Sequence, residues 1–152
     1  GTIAQPEGRP RLRSLAGGRA DGVLAGGNLS LLAASVGTDD APDLDGALVL
    51  LEDVGEPAYR IDRMLTHLLR AGLLAAVSGI VLAETEIVGD GPTFEDITFE
   101  DIAFERLSGL GVPILAGLAA GHGSDQLTLP LGARAVLDGT GLTVPDPVTS
   151  DI

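Results

Sequence analysis

Glu52 and His122 have the residue types and sequence surroundings of a proton-transfer site. Glu52 follows the apolar run at residues 47–51, which is typical of a buried strand, and a loop with Gly55 and Pro57 comes next. In open α/β sheets, ligands collect beyond the carboxyl ends of the strands. His122 is flanked by two glycines, which allow a sharp turn and leave the imidazole unobstructed. A carboxylate and an imidazole are two members of a Ser-His-acid triad.

Each of these residues also has a simpler interpretation. Glu52 could cap a turn or face solvent at the end of its strand, and His122 could be a surface-loop histidine. The other histidine, His67, falls in the middle of a predicted helix, where a solvated position is expected. Ser124 is only two residues from His122, an awkward position for attack assisted by that imidazole. No serine of this chain sits in a nucleophile-elbow pattern, so the sequence identifies no nucleophile.

Metal and cofactor chemistry has little support in the sequence. The chain has no cysteine, which excludes disulfides, thiolate-bound zinc and thiol catalysis. The two histidines lack a metal-ligand spacing, and the acidic pairs at residues 39–40 and 100–101 are ordinary loop or cap charges. Gly26 and Gly27 lack the rest of a phosphate-binding glycine pattern. We therefore predict no metal site and no cofactor.

Charge and hydropathy limit the partners. The 152 residues carry a net charge of −13, which disfavours binding to nucleic acid or to an anionic membrane surface. The longest apolar stretch, residues 72–83, is too short to span a bilayer. With 45% hydrophobic and 20% charged residues, the composition is that of one globular domain.

The order of elements predicts an α/β domain. Strands are expected within residues 11–25 and at 47–51, 78–83 and 112–116, with helices over 29–36 and 58–71 and after Thr98. Asn28 is the expected N-cap of the first helix, and Thr98 with Asp101 forms the expected capping box of the third. Further strands are expected at 127–131, 133–137 and 141–144, which indicates a mixed sheet with a second β layer and two to four helices. Residues 1–10 are expected to be a linker, and 11–152 one domain.

Three blocks of sequence, in order, resemble the C-terminal domain of LD-carboxypeptidases. The first is GGNLSLL at residues 26–32. The second is LEDVGEP at 51–57 followed by YRIDRML at 59–65. The third comprises VPILAG at 112–117, GHG at 121–123 and LTLPLG at 127–132.

This resemblance implies a three-layer β/β/α fold of the swivelling type and a role in a serine peptidase. Members of the family are cytoplasmic, tend to form homodimers and release the terminal D-alanine from murein tetrapeptides during cell-wall recycling. Their Ser-His-Glu triad would map its acid to Glu52 and its base to His122. The serine and the oxyanion hole would belong to an N-terminal domain that this chain lacks.

The sequence leads to two further expectations and leaves two alternatives. The absence of an initial Met and the linker-like start indicate a piece of a longer protein, and a chain without the serine is expected to be inactive alone. The dimer surface and the substrate-binding residues are not predicted, and the repeat of TFEDI at 93–97 and 98–102 is assigned no role. The alternatives are a microcin-immunity-type serine peptidase of the same family and a non-catalytic binding or assembly domain.

Overall fold

The computed structural model describes residues 1–88, 97–124 and 126–145. Within these ranges the chain forms ten strands, three α-helices and one 3-10 turn. The strands are β1 (Thr2–Ile3), β2 (Arg13–Ala16), β3 (Ala20–Asn28), β4 (Leu48–Glu52), β5 (Val54–Glu56), β6 (Gly79–Ala83), β7 (Glu86–Ile87), β8 (Ile114–Leu118), β9 (Arg134–Asp138) and β10 (Gly141–Thr143). The helices are α1 (Leu29–Ser35), α2 (Ala58–Arg70) and α3 (Phe99–Leu107), and the 3-10 turn is Ser108–Leu110.

Eight of the strands form one mixed sheet in the order β1-β10-β9-β3-β4-β6-β8-β2. Its centre is parallel: β3 pairs with β4, β4 with β6, and β6 with β8. Both flanks are antiparallel, with β9 on β3 at one side and β2 on β8 at the other. Strands β5 and β7 form a separate parallel pair. The carboxyl ends of β4, β6 and β8 therefore lie side by side at one edge of the sheet.

Strand β4 is buried on both faces because it lies between two apolar cores. Val49 and Leu51 point to the core that also contains buried residues of all three helices. Leu48 and Leu50 point to the opposite core, which they share with Ala135, Leu137 and Leu142 of β9 and β10. The antiparallel end of the sheet thus curls over the parallel centre as a second β layer. The predicted α/β fold with a mixed sheet, three layers and two to four helices is confirmed.

Helices α1 and α3 begin at the predicted caps. The Asn28 side chain accepts a hydrogen bond from the Leu31 N–H at the start of α1. At α3 the Thr98 hydroxyl accepts from the Asp101 N–H, and the Asp101 carboxylate accepts from the Thr98 N–H, which completes the capping box. Helix α2 buries Ile61, Leu65 and Leu68, the face that its helical spacing predicts. Residues 93–96 of the TFEDI repeat lie outside the described residues.

The strand predicted for residues 127–131 is wrong. Leu127 and Leu129 do pack against the second core, as the alternation implies. However, Pro130 has no N–H to contribute to a strand ladder, and the Leu131 N–H donates to the Leu129 carbonyl instead. The alternation of apolar residues thus predicts their burial correctly, although these residues do not form a strand.

Three short strands have no counterpart in the sequence-based expectations. They are β1, which pairs with β10 from within the segment expected to be a linker, and the pair β5 and β7. No described helix is both long and apolar enough to cross a membrane.

Candidate active site

Glu52 is the last residue of β4, at the carboxyl edge of the parallel strands. In the sheet register it lies beside Asn28, the last residue of β3. Its side chain is only 8% exposed, and the last residue of β3 and the residues that follow β8 lie against it. A carboxylate in such a position needs polar partners to offset the lost hydration. In this structure His122 and Asn28 are those partners.

His122 reaches Glu52 from the loop that follows β8. We call residues 119–124 the His122 loop. The imidazole Nδ1 lies 2.9 Å from Glu52 Oε2, across 70 residues of sequence. Gly121 makes the approach possible: its φ is +93°, and a Cβ there would lie 2.6 Å from Glu52 Oε2. The glycine that precedes the histidine is thus required both by its backbone conformation and by the closeness of the carboxylate.

This contact fixes which imidazole nitrogen is available for proton transfer. An ionised carboxylate can only accept a hydrogen bond, so Glu52 selects the tautomer that carries its proton on Nδ1. The Nε2 lone pair is then free to act as a base. The His122 side chain is 54% exposed, so another molecule or domain can approach it. Glu52 and His122 together can hold and transfer one proton, but they contain no nucleophile.

Asn28 is a second partner of Glu52 that the sequence did not suggest. Its Nδ2 lies 3.3 Å from Glu52 Oε1 and 3.3 Å from Asp53 Oδ1, while its Oδ1 caps α1. The sequence signal for Asn28 was its position as a helix cap, which explains only one of these three contacts.

Asp53 is buried next to Glu52 and is fully engaged in hydrogen bonds. One carboxylate oxygen accepts from the N–H and the hydroxyl of Ser30, at 3.0 and 2.7 Å. The other accepts from the Val54 N–H at 2.8 Å as well as from Asn28. The Asp53 N–H donates to the Thr85 hydroxyl. Asp53 therefore joins the ends of β4 and β6 to the start of α1, and so stiffens the edge that carries Glu52.

A cavity of about 260 Å³ opens beside the imidazole. Its walls come from the ends of β4 and β6 and from the His122 loop. They are mainly acidic or polar, and they consist of Asp53, Val54, Glu84, Thr85, Glu86, His122 and Gly123. The exposed side of His122 thus faces a space that is large enough for part of a ligand.

The remaining candidates lie elsewhere or are already engaged. His67 is exposed on α2. The Ser124 hydroxyl accepts a hydrogen bond from Arg9 at 2.8 Å. No group of three or more His, Cys, Asp or Glu side chains within residues 1–88, 97–124 and 126–145 could hold a metal ion. Gly26 serves close packing: a Cβ on it would lie 2.3 Å from the Leu50 carbonyl oxygen.

Comparison with known proteins identifies the family of this chain. A family model described as the LD-carboxypeptidase C-terminal domain matches residues 21–137. The chain belongs to this family. A Streptomyces coelicolor protein that carries the name of a carboxypeptidase is 46% identical over 125 residues, which are 80% of this chain and 38% of that protein. The murein tetrapeptide carboxypeptidase of Pseudomonas aeruginosa is 36% identical over 128 residues, 82% of this chain and 40% of the relative.

Two further comparisons include a microcin self-immunity protein and a solved structure. The microcin C7 self-immunity protein of Escherichia coli is 30% identical over 126 residues, 80% of this chain and 35% of that protein. The crystal structure of muramoyltetrapeptide carboxypeptidase from Oxalobacter formigenes superposes with a TM-score of 0.73 at 31% identity, over 93% of this chain and 46% of the other. This family member thus spans less than half the length of the relatives it matches.

Proposed function

We propose that this chain supplies the acid and the base of a Ser-His-Glu triad in a serine LD-carboxypeptidase. The observation that carries the proposal is the 2.9 Å contact between His122 Nδ1 and Glu52 Oε2, in a chain of the LD-carboxypeptidase family. The exposed side of the imidazole is where a serine would have to approach. In this proposal the serine and the oxyanion donors come from an N-terminal domain outside the present sequence.

The chemistry divides between the two domains. His122 Nε2 accepts the proton of the serine hydroxyl as the serine oxygen attacks the carbonyl carbon of the scissile bond. Glu52 keeps the proton on Nδ1 and stabilises the imidazolium that forms. His122 then gives the proton to the leaving amine, and an acyl-enzyme remains. Water, deprotonated by the same imidazole, resolves the acyl-enzyme and releases the serine.

The proposed substrate is a murein tetrapeptide, from which the enzyme releases the terminal D-alanine during cell-wall recycling. The name of the Pseudomonas aeruginosa relative and the family membership support this choice. The proposal also places the intact enzyme in the cytoplasm as a homodimer, in line with the family resemblance. Since the nucleophile is missing, the 152-residue chain by itself is inactive.

A chimera tests the proposal. Residues 1–152 would replace the matching part of the Pseudomonas aeruginosa murein tetrapeptide carboxypeptidase, and D-alanine release from a murein tetrapeptide would be measured. We expect activity in the chimera, none in the isolated chain, and a loss on the order of 10⁴-fold in kcat for Glu52→Gln, as for the equivalent change in Ser-His-Asp proteases. His122→Ala should lower kcat by at least as much. His67→Ala, at an exposed position of α2, should leave kcat unchanged.

Three outcomes would overturn the proposal. D-alanine release by the isolated chain would mean that it contains its own nucleophile. A folded chimera that is inactive, or one whose activity survives His122→Ala, would remove the catalytic assignment and favour a binding or assembly domain.

A microcin-immunity-type peptidase is the second candidate function, because the microcin C7 self-immunity protein matches 80% of this chain. Glu52 and His122 would again be the acid and the base of the triad, and only the substrate would differ. The chimera distinguishes the two if its donor domain is taken in turn from each relative. The microcin C7 self-immunity protein has been solved in complex with aspartyl sulfamoyl adenosine. Cleavage of this compound, without D-alanine release by either chimera, would select the second candidate.

A further inference from the structure

The chain that leads into β2 continues along the His122 loop. Strand β2 pairs antiparallel with β8, with Arg13 opposite Ala116. Because the two strands run in opposite directions, the residues before Arg13 extend past the carboxyl end of β8. Residues 5–11 therefore lie beside the stretch from Gly117 to Ser124, and the Arg11 carbonyl oxygen approaches Gly117.

Gln5 bonds to the backbone where β8 gives way to the loop. Its Nε2 donates to the Gly117 carbonyl, and its Oε1 accepts from the Ala119 N–H at 3.0 Å. The Gln5 Nε2 also donates to the Pro10 carbonyl at 3.3 Å, which folds the segment back on itself. One side-chain amide thus makes the pair of bonds that a neighbouring strand would make.

The backbone at this point is irregular. Gly117 has a φ of +88°, and the pairing with β6 shifts register between Ala116 and Leu118. Such a bulge redirects the chain and leaves polar backbone groups without ladder partners. Gln5 satisfies those groups, so it holds the bulge that sets the direction of the His122 loop.

Arg9 holds the other end of the same loop. Its guanidinium lies 3.1 Å from Glu84, just beyond β6, and donates to the Ser124 hydroxyl at 2.8 Å. The Arg9 and Glu84 side chains are 21% and 27% exposed, so this ion pair is partly shielded from water. The histidine therefore lies between an anchor at Ala119 and an anchor at Ser124.

We infer that Gln5 and Arg9 are positioning residues, which brace the His122 loop from both ends and thereby hold the imidazole against Glu52. Gln5 acts through the backbone of Gly117 and Ala119, and Arg9 acts through the side chain of Ser124. The inference concerns the geometry of the pair, and its catalytic meaning rests on the proposed function. It predicts that the segment before β2 influences the triad although it lies outside the family-matched residues 21–137.

The tautomer of His122 is the direct readout. In the intact 152-residue chain, the imidazole 15N chemical shifts should show His122 with its proton on Nδ1, and exposed His67 serves as an internal reference. Gln5→Glu keeps an acceptor for Ala119 but loses the donor to Gly117, and Arg9→Ala removes the second anchor. Both variants should reduce the Nδ1-protonated fraction of His122. Amide exchange within residues 119–124 should become about tenfold faster, as expected for one or two lost hydrogen bonds.

The matched control is Arg11→Ala, an exposed arginine of the same segment. It should change neither the His122 tautomer nor the exchange rates. Thermal unfolding of every variant identifies global destabilisation, and Arg9→Ala tests the inference separately if Gln5→Glu fails to fold.

The outcomes separate the inference from the proposed function. If folded Gln5→Glu and Arg9→Ala keep the parent tautomer and exchange rates, the positioning role is refuted, whatever the chimera does. If both readouts change while the chimera is inactive, the positioning role stands and the proposed function fails.

Discussion

Asn28 Nδ2 lies 3.3 Å from Glu52 Oε1, so the residue that caps α1 also orients the carboxylate that holds His122. The two residues are opposite each other in the β3–β4 register, at the end of the parallel pair. A helix N-terminus and a candidate triad acid therefore depend on a single side chain.

This relationship predicts that two substitutions of Asn28 separate stability from positioning. Asn28→Ala loses the cap and should lower the free energy of unfolding by about 1 kcal/mol. Asn28→Ser keeps a capping oxygen but has no amide to reach Glu52. Both variants lose the amide and should have a lower kcat in the chimera, but Asn28→Ser should be the more stable of the two because it keeps the cap; denaturant unfolding and D-alanine release measure these effects. Equal kcat in the parent and Asn28→Ser would show that Glu52 needs no such partner.

Asp53 should be the most sensitive carboxylate for stability. Asp53→Asn replaces one carboxylate oxygen, which accepts hydrogen bonds, with an NH2 group, which donates them. Depending on the orientation of the amide, this NH2 group faces the donors of Ser30 or those of Val54 and Asn28. Because the site is buried, the mismatch should lower the free energy of unfolding by about 2 kcal/mol. The control is Asp39→Asn on an exposed loop, which should change the free energy of unfolding by less than about 0.5 kcal/mol. Urea titration measures both, and equal effects would contradict the structural role of Asp53.

Local patterns in the sequence predicted the parts of the fold that local chemistry determines. Asn28 and Thr98 are N-caps because their side-chain oxygens satisfy free N–H groups at the start of a helix. The apolar runs became buried parallel strands because strands covered on both faces need no polar side. The placement of Glu52 at a strand end followed from the same pattern.

Contacts that depend on strand order could not be predicted in this way. The 2.9 Å approach of His122 to Glu52 depends on how β4, β6 and β8 are ordered in the sheet, which no local pattern determines. The residue types and the family resemblance suggested the pairing, but neither gave the contact. Gln5 bonds to backbone atoms more than 110 residues away, and a backbone partner leaves no pattern in the sequence. The role of Asp53 could not be predicted from a local pattern either, because its partners lie on three separate elements.

The capping box of α3 should make stability depend on pH through Asp101. Hydrogen bonds from the Thr98 hydroxyl, and then from the Thr98 N–H, lower the pKa of Asp101 below its ordinary value. A carboxyl whose folded-state pKa is depressed contributes stability above its unfolded pKa and loses that contribution as pH falls through the folded value. The window therefore lies below about pH 4, the ordinary pKa of Asp.

Thr98→Ala should accordingly lower Tm by about 3 °C near neutral pH, and the difference from the parent should shrink below about pH 4. Thr98→Ser keeps the hydroxyl and should follow the parent at every pH. Differential scanning calorimetry across this range gives the measurement. A Thr98→Ala difference that stays constant down to about pH 2 would mean that Asp101 is not linked to folding through this box.

Gly121→Ala should damage the Glu52–His122 pair more than it damages the fold. The substitution forces an L-residue into a left-handed conformation, which costs about 1 to 2 kcal/mol. It also places the new Cβ 2.6 Å from Glu52 Oε2. Gly37→Ala is the matched control, because Gly37 has a similar φ of +83° and nothing in the described part of the chain lies within 4 Å of a Cβ there. Only Gly121→Ala should shift the His122 15N signals away from the Nδ1-protonated pattern and abolish activity of the chimera. The same tautomer and kcat in both alanine variants would show that Glu52 can move aside without loss of the contact.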